Sequence, residues 1–396
     1  MQPQRTGPHV LSAAVAPLPD EATTANNSGH ATLQVLRDRT RVMHLAGHPS
    51  WDTRFLRTHL RADPAVDLIS FYVMVGEGAR LYVRAQDTTL IPFPTEELFE
   101  RALDDFDLVI FQDFQFRQFD IGKYLPLLHD FVRRGGAFAI LGGHQSLSAG
   151  GQEASSMAGW LPVQLQSAAA ESAYRDVGFA PRLTAAGRSH PVSRLADLAE
   201  DNDAAWARNL LPGHNAALTA RPDGVVLVTS DDDTPLLAVA DRGLGRVAVL
   251  ATDGMWRWAF PDGEAADREA TRAGYHQLLE QLRGWLCHDP AYDVLTLKAA
   301  ETVLEPGAEA VVLAVTRDGT GAPATGIRLQ FRHRQLKDER LERVDPTPWQ
   351  QVVAPTDAQG QATISWRPAV SGALMLEVRG SIEGVQSQTS LALAVQ

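Results

Sequence analysis

Four short apolar runs in this chain each give way to residues able to do chemistry. His48 and Trp51 follow Val42–Ala46, and Asp113 follows Leu108–Phe111. His144 and Gln145 follow Ala137–Leu141, and Asp253, Trp256 and Arg257 follow Gly245–Ala251. Two imidazoles and two carboxylates, His48, Asp113, His144 and Asp253, make a donor set suited to zinc, iron or manganese. Their spacing speaks against it, because no Glu-x-x-His or His-x-His occurs and each ligand would arrive from a separate loop. They are therefore expected to be polar loop residues that cap and pack, with no metal and no cofactor. Gly142-Gly143 could cradle an anion with free backbone amides, or simply turn tightly beside a sheet. Trp256-Arg257-Trp258 could form a cation–π stack or a partner-binding patch; the preferred reading is an amphipathic anchor that seals a helix against the sheet, with Arg257 held by Asp52 or Asp113.

The elements that would position these residues follow from periodicity. Val42–Ala46, Val66–Val73, Leu108–Phe111, Ala137–Leu141 and Gly245–Ala251 read as strands, several of them apolar throughout, as in sheets covered on both faces. Between them lie helical patterns through Phe55, Leu56 and Leu60, over Glu96–Phe106, and over Tyr124–Arg134, the last ending at Gly135-Gly136. Val225–Val228 and Leu236–Val239 read as paired strands near an edge, and Tyr275–Leu286 as a closing helix. Repeated strand–helix–strand units predict an α/β domain over residues 41–289, with a doubly wound, mostly parallel sheet. Ligands of such sheets bind beyond the carboxyl ends of the strands, where the residues named above cluster.

After Pro290 the helical periodicity stops, and Ala310–Val315, Ile327–Phe331, Ala362–Trp366 and Leu374–Val378 alternate between turn signals. Residues 290–396 therefore read as an all-β, Ig-like sandwich. Arg332–Arg343, which mixes both charge signs, is expected to face solvent on a hairpin. Residues 1–30 read as a flexible arm, and residues 31–40 hold a stray strand, Ala31–Leu36, that needs partners from elsewhere.

Composition narrows the function classes. A 396-residue chain implies two or three domains, and 44% hydrophobic with 21% charged residues is ordinary for a folded protein. A net charge of -12 argues against nucleic acid as a partner. The single cysteine, Cys287, excludes an intrachain disulfide and any site of several thiolates. It reads as a packed helical residue. No run reaches the ~20 apolar residues of a spanning helix. The opening stretch, with one arginine and prolines breaking its apolar patch, is a poor match to a signal peptide. The compartment stays open.

Four segments then carry a resemblance: RVMHLAGHPSWDTRFL at Arg41–Leu56, FVRRGGAFAILGGHQSLSAGG at Phe131–Gly151, GRSHPVSRL at Gly187–Leu195, and GRVAVLATDGMWRW at Gly245–Trp258. They resemble a bacterial family of glutamine amidotransferase-like domains, often found in large membrane proteins that also carry von Willebrand A domains. The resemblance spans about the middle two-thirds of the chain and implies a flavodoxin-like, class I glutamine amidotransferase-like fold. It also implies an Ig-like segment upstream, of which Ala31–Leu36 would be a remnant. This chain departs from the family at Ala46, where an acidic residue is usual.

Class I amidotransferases attack glutamine with a cysteine held on a sharp strand-to-helix turn. The matching turn here, Leu141-Gly142-Gly143-His144, offers no Cys, Ser or Thr in either register. Ser146 and Ser148 lack a Gly-x-Ser-x-Gly context, and the family's His-Pro-Glu is missing after the last strand. His190-Pro191 occurs elsewhere, with no acid following. No catalytic residue is expected. The leading expectation is a non-catalytic binding or scaffolding module, with protein partners, in a bacterial envelope-associated assembly. The alternative is a hydrolase or ligand sensor using His48, Asp113, His144 and Asp253.

Overall fold

The computed structural model describes residues 7–16, 27–35, 39–72, 95–115, 121–152, 155–196, 198–262, 264–289, 292–305, 307–319, 321–335, 346–368 and 372–395. The chain divides into two compact units, one of residues 38–292 and one of residues 1–37 with 293–396.

The second of these begins with β1 (Gly7–Ala14) and β2 (Ser28–Val35), which pair antiparallel from Gly7↔Val35 to Ala14↔Ser28. This corrects the flexible arm and the stray strand: Ala31–Val35 is the outgoing half of a hairpin whose incoming half lies in the arm. The backbone groups of a lone strand must find partners, and GPHVLSAA supplies them despite its weak alternation. Leu36 lies outside the described residues.

The α/β unit starts with β3 (Thr40–Ala46), α1 (Trp51–Ala62) and β4 (Val66–Tyr72). Ser50 caps α1 by accepting from the Thr53 amide at 3.1 Å. After it come β5 (Leu108–Gln112), α2 (Leu125–Arg133) and β6 (Ala137–Leu141). The helix expected over Glu96–Phe106 is instead a π-helical turn at Glu97–Arg101 and a 3-10 turn at Leu103–Asp105. Leu98, Phe99 and Leu103 are all buried, so burial of these side chains, more than a regular helical repeat, shapes the segment.

Small pieces follow: β7 (Val163–Leu165), α3 (Ala170–Ala173), β8 (Tyr174–Arg175), β9 (Arg182–Leu183), α4 (Ala185–Ser189), α5 (Ala199–Arg208), β10 (His214–Asn215) and β11 (Leu218–Ala220). The unit closes with β12 (Val225–Thr229), β13 (Pro235–Arg242), β14 (Gly245–Leu250), α6 (Trp256–Ala259) and α7 (Ala265–Leu286). The closing helix thus begins ten residues before the expected Tyr275. Its first turns, AADREATRAG, carry no apolar stripe to reveal them.

One mixed sheet of eight strands organises this unit, in the order β4-β3-β5-β6-β14-β13-β12-β9. The first five run parallel; β13, β12 and β9 continue the sheet antiparallel. Alternate residues serve opposite faces. Val42, Leu108, Ile110, Ala139 and Leu250 pack with Leu56 and Leu60 of α1 and Leu278 and Leu282 of α7. Met43, Leu45, Val109, Phe111, Phe138 and Val249 pack with Phe99 and with Leu128, Phe131 and Val132 of α2. Helical segments therefore cover both faces, and every residue of β5, β6 and β14 is buried. His44 lies inside this sheet, its ring bridging Ser70 and Gln112 at 2.9 Å each, and burial lowers its pKa to about 4.

The C-terminal strands are β15 (Leu295–Ala299), β16 (Val303–Leu304), β17 (Ala310–Thr316), β18 (Leu329–Gln335), β19 (Gln350–Gln351), β20 (Gln361–Trp366), β21 (Gly372–Ile382) and β22 (Val385–Val395). They form two sheets, β15-β17-β20 and β16-β22-β21-β18-β19, that share one core of inward residues such as Val312, Ile364, Phe331, Leu376 and Leu393. This is a β-sandwich, and the N-terminal hairpin lies beside β22. No helix among the described residues is long and apolar enough to cross a membrane.

The charged stretch Arg332–Arg343 does not simply face water. Arg332 and Arg334 both donate to the buried Glu377 at 2.6 Å, and Trp349 lies under the Arg332 and Arg379 guanidiniums at 4.4 and 4.1 Å. Residues 336–345 lie outside the described residues. Removing the shared acceptor strands two guanidiniums against the sheet. Glu377→Ala is expected to cost roughly 2–3 kcal/mol, read by calorimetry as a lower unfolding temperature, with partial recovery in Glu377→Gln.

Candidate functional site

The carboxyl ends of β3, β5, β6 and β14 converge on Asp113. The ladder continues past the strands: Gly47 N donates to Gln112 O at 2.9 Å, Asp113 N to Leu141 O at 2.9 Å, and Gly142 N to Leu250 O at 2.7 Å. Such close approach leaves no room for side chains. A Cβ on Gly47 would stand 1.8 Å from the Asp113 carbonyl oxygen, and one on Gly143 would stand 2.4 Å from Asp113 Cγ. Asp113 itself adopts φ 40°, a conformation rare for a side-chain-bearing residue, and this aims its carboxylate back under the turn.

The Gly-Gly turn is held by side chains. Asn215 accepts from Gly143 N at 3.0 Å and donates back to Gly143 O at 2.9 Å, while Gln145 N donates to Asp113 Oδ1 at 2.6 Å. The amides of Gly142, Gly143 and Gln145, which an anion would use, are therefore taken. Tight turning beside the sheet accounts for the glycines.

Acid crowding dominates the electrostatics. Burial raises the Asp113 carboxyl to about 6, with Asp253 adding to the rise and the Gln145 amide and His48 opposing it. Asp52 is buried at the start of α1. Burial, Asp253 and Asp113 push its carboxyl well above the usual range, although it accepts the Trp256 backbone N–H. Tyr174 donates its hydroxyl to Asp253 Oδ1 at 2.5 Å; burial and that carboxylate raise the phenol's pKa.

The expected site residues gather in part. His48 Nδ1 lies 3.3 Å from Asp113 Oδ2, a distance fit for an ion pair, yet neither atom has a well-formed hydrogen bond. His144 is exposed, with Nε2 at 3.4 Å from Asp176 and 3.8 Å from Asp253, and its ring lies 4.0 Å from that of Tyr174. Among the described residues, His48, Asp113, His144 and Asp253 do not bring three ligand atoms together; they stand as two pairs. Gln145 contributes its backbone, with an exposed side chain. Leu141 ends β6 in the core, with no functional atom at the turn.

Trp51, Trp256 and Arg257 form a different feature. Trp51 is 55% exposed and Phe260 65%. Trp51 lies 6.2 Å from Trp256 and 6.3 Å from Phe55, and Phe55 stacks on Phe260 at 6.5 Å. Arg54 covers Trp51 and Arg257 covers Trp256, each at 5.3 Å. Arg257 is therefore held by an indole, not by Asp52 or Asp113. Only Trp258 is the anchor expected of this tripeptide, buried edge-on against Trp206 at 5.4 Å.

Asp52, Tyr174, Asp176 and Asn215 were not among the expected site residues. An acid in a helix's first turn is commonplace, which conceals Asp52. Tyr174 and Asn215 sit on the two-residue ladder of β8 and β10, too short for any periodic signal.

Cys287 lies far from this site. Burial, then Asp107 ahead of β5, push its thiol up to about 12, and Arg246 of β14 also acts on it. Both neighbours mark the amino edge of the sheet, opposite the Gly142-Gly143 turn. His190 is structural: its Nδ1 accepts from Val192 N at 3.2 Å, its ring meets Trp285 edge-on, and burial lowers its pKa to about 3.

No protein-family model and no curated protein matches this chain. Among solved structures, it is similar to an exo-β-1,4-mannosidase from Opitutaceae bacterium strain TAV5 at 12% identity and TM-score 0.30, covering 59% of this chain and 34% of that one. The chain thus spans about a third of the mannosidase's length. A CARDB domain from Pyrococcus furiosus matches at 11% identity and TM-score 0.18, over 26% of this chain and 90% of its own. The PmoD soluble domain from Methylocystis matches at 14% and 0.20, over 26% and 93%. Likeness this slight carries no argument about function.

Two outcomes follow from the geometry. Because the folded pKa of Asp113 lies above its unfolded value, the native state binds the extra proton, and stability from this group is lost as pH rises from about 4 through about 6. Asp113→Asn should therefore gain stability relative to wild type across that window, by roughly 1–3 kcal/mol, in unfolding curves at pH 4 and pH 7. Gly142→Ala would set a Cβ 2.2 Å from Asn215 Oδ1 and 2.8 Å from the Ala251 backbone. It should destabilise by more than ~2 kcal/mol, and an unchanged melting temperature would contradict this packing.

Proposed function

We propose that the chain is a non-catalytic, amidotransferase-like binding module of a bacterial envelope-associated assembly. The fold part of this reading is supported by strand order. Numbered along the chain, the five parallel strands lie 2-1-3-4-5, the order of flavodoxin-like doubly wound sheets. The sandwich is read as Ig-like, serving as spacer or docking surface. Membership in the amidotransferase-like family rests on the four sequence segments, and the link to membrane proteins with von Willebrand A domains rests on that resemblance alone.

The observation that carries the binding reading is the pair of exposed aromatics Trp51 and Phe260, joined through the half-buried Phe55 and Trp256 and flanked by Arg54 and Arg257. Trp and Arg are the residue types that dominate protein–protein affinity, and exposed aromatics in one group are what a partner covers. It adjoins a strand-end turn with no nucleophile, whose amides are already bonded. Leu141–His144 offers no thiol or hydroxyl from which amide transfer through a thioester or ester could start.

A second reading, a small-ligand site, is favoured by the crowded Asp52, Asp113 and Asp253 carboxylates, whose mutual repulsion a cationic ligand would relieve.

The leading reading is tested against a purified von Willebrand A domain protein from the same organism. Wild type should bind it, and Trp51→Ala with Phe260→Ser should weaken binding by ~30-fold or more without lowering the melting temperature. Equal binding by both proteins would remove the aromatic surface from the account. Ammonia release from glutamine, lost in Cys287→Ser, would overturn the non-catalytic assignment.

A further inference from the structure

A second polar cluster lies outside the strand-end site, on the other face of the β8–β10 ladder. In this antiparallel pair His214 stands opposite Arg175 and Asn215 opposite Tyr174, so the two pairs point to opposite sides. Tyr174 and Asn215 serve the site described above. His214 faces the loop between β12 and β13, which carries Asp231 and Asp232.

His214 is 1% exposed, and its Nε2 has no hydrogen-bond partner. Its Nδ1 lies 3.1 Å from the Asn215 carbonyl oxygen, which can only accept. In the neutral ring Nδ1 therefore carries the proton and Nε2 presents a bare lone pair. A buried acceptor left unmatched is costly, and this one points at the acids, with Asp232 Oδ1 3.8 Å away. One ligand atom each from His214, Asp231 and Asp232 lies within 4.8 Å of the others. Two ligands of a tetrahedral ion stand roughly 3.3 Å apart, so closing around an ion takes shifts of only about half an ångström to one ångström.

We propose that His214, Asp231 and Asp232 form a zinc site, with water completing the coordination. An imidazole and two carboxylates suit this ion, and the backbone carbonyl on Nδ1 is the outer-shell partner that metal-bound histidines characteristically have. Asp232 is likewise braced by the Ser230 hydroxyl and by Thr234 N at 3.3 Å. The resident counter-charge is Arg175, whose Nη1 lies 2.6 Å from Asp232 Oδ2 and 3.9 Å from Asp231 Oδ1. Its side chain is 38% exposed, so it can swing into water when an ion takes its place. The site is independent of the partner-binding reading, and shares only the β8–β10 ladder with the strand-end site.

The test uses the full chain stripped with chelator, dialysed against zinc, and measured by metal analysis and titration calorimetry. One zinc per chain is expected. Asp231→Asn, a change at an exposed residue, should weaken binding ~10-fold or more, as should His214→Gln, and Arg175→Gln should tighten it. Cobalt in place of zinc should give visible absorption that His214→Gln abolishes. Wild type without stoichiometric zinc overturns the proposal, as does stoichiometric zinc with unchanged affinity in both Asp231→Asn and His214→Gln.

Discussion

The α/β unit depends on how closely four strand ends approach one another. Gly47, Gly142 and Gly143 have no space for a Cβ because Asp113, Asn215 and the Ala251 backbone already occupy it. That crowding lets the hydrogen-bond ladder run one residue beyond the strands, and it forces Asp113 into a left-handed conformation with its carboxylate under the turn. Asn215 completes the arrangement from the far side, bonding both the amide and the carbonyl of Gly143.

A turn built this way differs in geometry from a nucleophile elbow. An elbow exposes a reactive atom above the sheet and leaves amides free to receive developing charge. Here the amides of Gly143 and Gln145 are bonded to Asn215 and Asp113, and the side chain that emerges is an exposed imidazole leaning on Tyr174. The same crowding concentrates negative charge. Asp52 and Asp113 are buried, and the nearby Asp253 carboxylate further disfavours the ionisation of both. The single thiol, Cys287, lies at the other edge of the sheet, where burial raises its pKa.

The β8–β10 ladder ties this edge to its surroundings. Two residues per strand are enough to send Tyr174 and Asn215 one way and Arg175 and His214 the other. Any change of strand register there would exchange the two faces, because side chains alternate with a period of two. The acid cluster and the histidine–aspartate cluster are thus positioned by the same short piece of backbone.

What the sequence determined by itself was mostly periodic. Unbroken apolar runs such as Leu108–Phe111 and Ala137–Leu141 marked strands covered on both faces, and Gly135-Gly136 marked the end of a helix. The absence of Cys, Ser and Thr at Leu141–His144 is likewise a matter of residue identity alone. Where period was weak, the reading failed: the first turns of α7 carry no apolar side chain larger than alanine, the hairpin's incoming strand barely alternates, and Glu97–Arg101 is shaped by burial. Only tertiary structure decided which polar residues meet. Asp52 with Trp256, Tyr174 with Asp253, and His214 with Asp232 are each brought together by folding from distant parts of the chain. Such contacts leave no local trace, because the energy that selects them comes from burying the apolar faces of the sheet and not from the polar residues themselves.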